Sequence, residues 1–309
     1  MNTLRSHLDN YLKLRRQLGF KLHVAGILLN GFVRFVERQR ASVVTSKLAL
    51  RWATQPRHIQ QVQKANRLGV VRRFAIYLSA IDPRTEVPAK GLLPCQYRRQ
   101  APYLYRAVDV QRLIETTHQV CEKSPVKGAT HATLIGLLAV TGMRVGEVIA
   151  LECDDVDLNR GVITVRHAKG DRSRVVPLHS STKKALQRYA TLRDEVFPQP
   201  LCKSFFVSAR GTQLVHCTVH RCFVSVAAQI GLRKSADRLG PRLHDLRHYF
   251  CIQTMLRWYR SNTDVEAHLP ELSTYLGHGH VQDTYWYLSA VPELLQLATR
   301  RCQDKEARR

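Results

Sequence analysis

Residues 82–106 read DPRTEVPAKGLLPCQYRRQAPYLYR, with four prolines and no helical period. Proline lacks a backbone N–H and locks φ, so neither a long helix nor a central strand runs through such a stretch. The chain is therefore expected in two parts, 1–81 and 107–297, with 82–106 as a linker and a short tail at 298–309. The 309 residues are enough for two domains with properly buried cores.

The first part reads as four helices. Over 3–18, Leu4, Leu8, Tyr11, Leu12 and Leu18 fall along one stripe, which Arg15 interrupts with a stem that can still pack. Gly19 suits the end of that helix. A second helix over 23–40 carries Ile27, Leu28, Phe32, Phe35 and Val36, followed by helices near 46–53 and 58–80. The second part is mixed. Helices are expected near 108–118, 127–141, 180–195, 215–231, 243–258, 266–276 and 292–301, and GVITVRHAKGDRSRVVPL (161–178) reads as a β-hairpin. The fold class is mainly α with one small antiparallel β-sheet.

Charge narrows the partners. Lys plus Arg number 48 against 24 Asp plus Glu, and residues 1–100 hold 19 basic and 4 acidic side chains. A phosphate backbone fits such a surface, because each basic contact releases a condensed counterion. An anionic membrane surface or an acidic protein would also attract it. No stretch approaches the roughly 20 apolar residues needed to span a bilayer, and no signal peptide is legible, so a cytoplasmic protein is expected. The eight cysteines are scattered without a CxxC pair and read as reduced thiols.

Four segments carry chemistry. In TGMRVGEVIAL, Arg144 sits at a tight turn entering a helix, where its planar fork can grip two phosphate oxygens and Glu147 can orient a neighbour. At the hairpin tip, Lys169 beside Gly170 offers a mobile ammonium able to protonate a leaving oxygen. In PRLHDLRHYF, His244 and Arg247 are one helical turn apart, with His248 nearby. In LGHGHVQDTYWYL, His278 follows a helix-ending Gly277, and Tyr287 lies nine residues on with Tyr285 as its rival. Each alone has a bland reading as an exposed turn, a solvated lysine, a polar helix face or a core tyrosine. Together they match attack of a phenol oxygen on a phosphodiester, with neither metal nor nucleotide cofactor.

The ordered set Arg144, Lys169, His244, Arg247, His278 and Tyr287 resembles the tyrosine recombinase, or phage integrase, family. That likeness implies a SAM-like, helical core-binding domain followed by an α+β catalytic domain. It implies that Tyr287 is the nucleophile and that Arg144 and Arg247 bind the scissile phosphate. It implies Lys169 as general acid, His244 in proton transfer, His278 hydrogen-bonded to the phosphate and Glu147 supporting Arg144. The implied partners are double-stranded DNA with short inverted-repeat sites, a homotetramer on two paired sites and an accessory recombinase, with no membrane. By the same likeness the last helix, with Leu294, Leu295 and Leu297, docks on a neighbouring protomer; an intramolecular cap is the other reading. The apparent lack of an arm-binding domain points to a chromosome-resolving or transposon-type enzyme. A topoisomerase of type IB and a catalytically dead DNA-binding regulator are the rival functions. HCTVHRC (216–222) pairs His216 with His220 beside Cys217 and Cys222, but no second cluster completes a zinc site.

Overall fold

The computed structural model describes residues 3–95, 101–121, 124–166, 173–234, 240–277, 280, 282, 284, 285, 287 and 291–306. The chain divides into two compact units, Met1–Gln100 and Ala101–Arg309.

The first unit is a helical bundle of α1 (Leu4–Gln17), α2 (His23–Arg38), α3 (Ser46–Thr54) and α4 (Gln61–Ser79). Thr3 and Thr45 cap α1 and α3, accepting from the amides of Ser6 and Leu48. Leu8, Leu12, Leu29, Phe32, Val33, Val36, Trp52, Val71 and Phe74 form the core. Two expected stripe members stay outside it: Leu18 is 62% and Ile27 63% exposed. Leu18 falls past the last turn of α1, and the buried stripe of α2 is Leu29, Phe32, Val33 and Val36, at the i, i+3, i+4, i+7 spacing. Arg67 stacks over Trp52 at 3.8 Å, which shows how a basic helix closes its own core.

This unit extends past residue 81. Glu86 donates its amide to Val44 O (2.9 Å) and accepts from the Ser46 amide (2.8 Å), while Arg72 Nε donates to Pro88 O (2.9 Å). On the far side Tyr105 is buried in the second unit, its hydroxyl on Arg242 O. Extended, proline-rich backbone offers few partners of its own, so these polar groups find theirs on the bundle they border.

The second unit holds α5 (Ala107–Val120), α6 (Pro125–Thr141), α7 (Val145–Ile149), a 3-10 turn at Cys153–Asp155 and three short strands, β1 (Val156–Asp157), β2 (Val162–Val165) and β3 (Arg174–Pro177). The strands form one antiparallel sheet in the order β1-β2-β3, with Val162 opposite Pro177 and Val165 opposite Arg174. The expected hairpin is β2–β3; β1 was not expected, and two residues are too few for a period to show. Helices α8 (Ser180–Val196), α9 (His216–Gln229), α10 (Asp245–Arg260) and α11 (Val265–Leu276) follow, and a last helix spans Pro292–Glu306. That last helix outruns its expected end at residue 301, since nothing between Ala298 and Glu306 breaks a helix.

α6 runs through the centre, buried on nearly every side, and its Leu134, Ile135, Leu137 and Leu138 meet Leu113, Ile163, Val176, Phe206 and Leu246. A second cluster joins Cys251, Met255, Leu269, Leu272 and Leu276 to Tyr287 and Leu294. The last helix thus packs on its own chain. Leu294 is fully buried and Arg260 pairs with Glu293 at 3.0 Å, while Leu295 remains 55% exposed. Among the described residues no helix is long and apolar enough to cross a membrane.

Candidate active site

Two helix ends define the site. α6 stops at Gly142 in the left-handed region (φ 62°), and α11 stops at Gly277 in the same conformation (φ 66°). A helix C-terminus leaves carbonyls without intrahelical donors and carries partial negative charge, so it attracts cations. Arg247, from the first turn of α10, spans both ends: it donates through one terminal nitrogen to Gly142 O and through the other to Leu276 O, each at 2.7 Å. Arg144 donates to Gly277 O, also at 2.7 Å. The two arginines, 103 positions apart, are fixed by the same pair of helix termini.

Arg144 immediately precedes α7, as its turn-to-helix pattern predicts. Glu147 reaches back, accepting from the Arg144 amide (2.9 Å) and from its guanidinium (2.8 Å) in a capping-box arrangement. Arg174, which sequence reasoning missed, donates to both oxygens of the same carboxylate at 3.1 and 2.6 Å. One signal for it was present: Arg174 has the same strand parity as the buried Val176, so it points inward.

Electrostatics follow this packing. Burial would raise the Glu147 pKa, but the hydrogen bond from Arg174, then that from the Arg144 amide, hold it at about 2. Arg247 is only 2% exposed, and burial followed by repulsion from Arg144 brings it down to about 10, so it stays cationic at neutral pH. For Glu147 the folded value lies below the unfolded one. Its contribution is complete above about pH 4.5 and is lost as pH falls towards 2. That contribution is on the order of 3 kcal/mol. Denaturant titrations of wild type and Glu147→Gln are expected to differ most at pH 7 and to converge only as pH approaches about 2. A gap that does not change with pH would refute the assignment.

His244 stands just before α10 and is exposed, and its ring meets that of His248 edge-on with centroids 4.9 Å apart. Protein packed around it, then the Arg247 charge, lower its pKa, so it is neutral at pH 7 and can accept a proton. Tyr287 is 1% exposed, and its hydroxyl lies 2.9 Å from His248 Nδ1, on the residue after Arg247. Tyr287 also lies close enough to raise the pKa of Arg247. Its rival Tyr285 is 46% exposed. The structure therefore gathers Arg144, Glu147, His244, Arg247 and Tyr287, and adds Arg174 and His248. Lys169 and His278 lie outside the described residues.

The HCTVHRC segment opens α9. His216 and His220 stack with ring centroids 6.5 Å apart, Cys217 is exposed, and Cys222 turns towards Cys121, where burial pushes its thiol up to about 12. Among the described residues no three His, Cys, Asp or Glu side chains are grouped to hold a metal ion.

Residues 105–293 match the sequence profile of the phage integrase family. The chain belongs to the phage integrase family. The integrase/recombinase y4rB of Sinorhizobium fredii is 43% identical over 309 residues, covering 99% of this chain and 98% of that protein. The tyrosine recombinase XerC of Corynebacterium glutamicum is 33% identical over 223 residues, 72% of this chain and 66% of that protein. The fold is shared with the Tn1549 transposon integrase solved with transposon right end DNA (TM-score 0.64, 16% identity, 96% of this chain and 98% of that one). It is shared too with the XerH recombinase bound to its difH substrate (TM-score 0.62, 19% identity, 91% and 81%). Mainly helical structure with one small antiparallel sheet is thus the architecture of this family member, and the chain is a tyrosine-type recombinase by kinship.

Proposed function

We propose that this protein is a site-specific DNA recombinase that breaks and rejoins strands through a 3′-phosphotyrosyl intermediate. The observation that carries the reading is the anchoring of Arg247 on the ends of α6 and α11 and of Arg144 on the end of α11, with the Tyr287 hydroxyl on His248, the residue after Arg247. In the proposed reaction the Tyr287 oxygen attacks a backbone phosphorus, and the bond from phosphorus to the 5′ oxygen breaks. Arg144 and Arg247 hold the non-bridging oxygens, whose charge grows as the phosphorus becomes five-coordinate. Glu147 keeps Arg144 in place, neutral His244 assists in taking the phenol proton, His278 bonds the phosphate, and Lys169 protonates the departing 5′ oxygen. A DNA hydroxyl reverses the step, because the ester conserves the energy of the broken bond.

Duplex DNA is the partner that a net charge of +24 favours. Short inverted repeats as recognition sites, and four protomers on two paired sites, complete the proposal. Residues 144, 147, 244 and 247 carry the intended chemistry, which distinguishes this reading from an inactive regulator.

The test uses nicked duplexes made from inverted repeats bordering the gene. The protein is expected to become covalently joined to the 3′ phosphate at the nick, and supplying a second site is expected to give strand exchange. Adduct formation should be unchanged by EDTA, since guanidinium groups supply the positive charge. Loss of the adduct with EDTA and its return with zinc would overturn this mechanism.

A further inference from the structure

We propose that Arg174 is a positioning residue that neutralises Glu147, so that Glu147 clamps Arg144 without cancelling its charge. The inference rests on the reading of Arg144 as a phosphate ligand.

The geometry poses a conflict. Arg144 is oriented by two hydrogen bonds to Glu147, one from its amide and one from its guanidinium. A carboxylate beside a guanidinium opposes the approach of any anion, and in a half-buried site the opposition is strong. A clamp of this kind would weaken the charge it positions. Arg174 resolves the conflict by meeting both oxygens of the same carboxylate. Arg144, Glu147 and Arg174 then carry one net positive charge, which Glu147 no longer opposes.

Three features place Arg174 for this task. It is the first residue of β3, paired with Val165 and turned to the inner face of the sheet. Its side chain is 13% exposed, a degree of burial a cation tolerates only with a partner. A Cβ on Gly277 would lie 3.2 Å from one terminal nitrogen of Arg174 and 3.6 Å from one of Arg144. The missing side chain at residue 277 therefore eases the close approach of Arg174 to the end of α11, while Arg144 would be in ordinary contact. The bland alternative is a bridge that merely ties β3 to α7.

Charge removal separates the two. With the full-length protein and the nicked inverted-repeat duplex, adduct rate and duplex affinity are measured separately. R174Q is expected to slow adduct formation by about 10–100-fold through a displaced, charge-cancelled Arg144, with duplex affinity changed by less than about 3-fold. Adding E147Q to R174Q removes the offending carboxylate, so the double variant is expected to be faster than R174Q alone by about 5-fold or more. A merely structural bridge predicts a double variant as slow as R174Q or slower, and that result overturns the proposal. R174K keeps the charge and serves if R174Q does not fold. It is expected within about 10-fold of the wild-type rate, and a folded R174K slower than that by a further order of magnitude overturns the proposal. If the wild-type protein forms no adduct, the recombinase reading fails and this inference falls with it. An adduct with wild type but no rescue in the double variant removes this inference alone.

Discussion

Tyr287→Phe is expected to abolish the covalent adduct completely while the protein stays folded and binds its duplex. The ring is part of the cluster formed by α10, α11 and the last helix, and phenylalanine fills the same space. What is lost is the hydroxyl's bonding to buried groups, to His248 and to the Cys251 thiol, each worth about 1 kcal/mol. The loss to chemistry is total, because no other atom of that ring can attack phosphorus. Tyr285→Phe is expected to leave the adduct in place. An adduct that disappears in Tyr285→Phe alone, measured by gel shift under denaturing conditions, would transfer the nucleophile to Tyr285. The 1% exposure of Tyr287 adds a condition: its hydroxyl must leave His248 before it can meet a phosphate.

Gly142→Ala is expected to damage both fold and site. At φ 62° a side chain costs about 1 kcal/mol or more. The new Cβ would stand 2.5 Å from Phe250 Cδ1 and 3.1 Å from Leu276 Cδ2, an overpacking that costs about 1–3 kcal/mol further. Destabilisation of about 2–4 kcal/mol in denaturant titration is the expected sum. Because Gly142 O anchors Arg247, the adduct rate should fall as well, by about 100-fold for a displacement near 1 Å. Gly146→Ala, where a Cβ meets nothing within 4 Å, is the control and is expected to be neutral or mildly stabilising. A Gly142→Ala protein as stable as wild type would show that the end of α6 can yield, and would weaken the account of Arg247.

Local signals in the sequence reached far. The 3.6-residue period located the helices within a few residues, because burial of one face needs only near neighbours. Alternation around a polar turn located β2 and β3. Gly277 was recognisable as a helix end, since the left-handed region favours glycine. The order Arg144, Lys169, His244, Arg247, His278, Tyr287 identified the family without coordinates.

By itself, then, the sequence determined the helices, the hairpin, the basic character, the family and the candidate residues, all of which depend on composition or on spacing along the chain. Only the tertiary structure decided what each candidate touches. It brought Arg247 to the carbonyls of Gly142 and Leu276, Tyr287 to His248, Arg174 to Glu147, and the last helix to its own chain. Those contacts join residues 27 to 105 positions apart. They arise where packed helices end and leave polar backbone groups to be satisfied, and no period or motif along the chain records which side chain arrives to satisfy them.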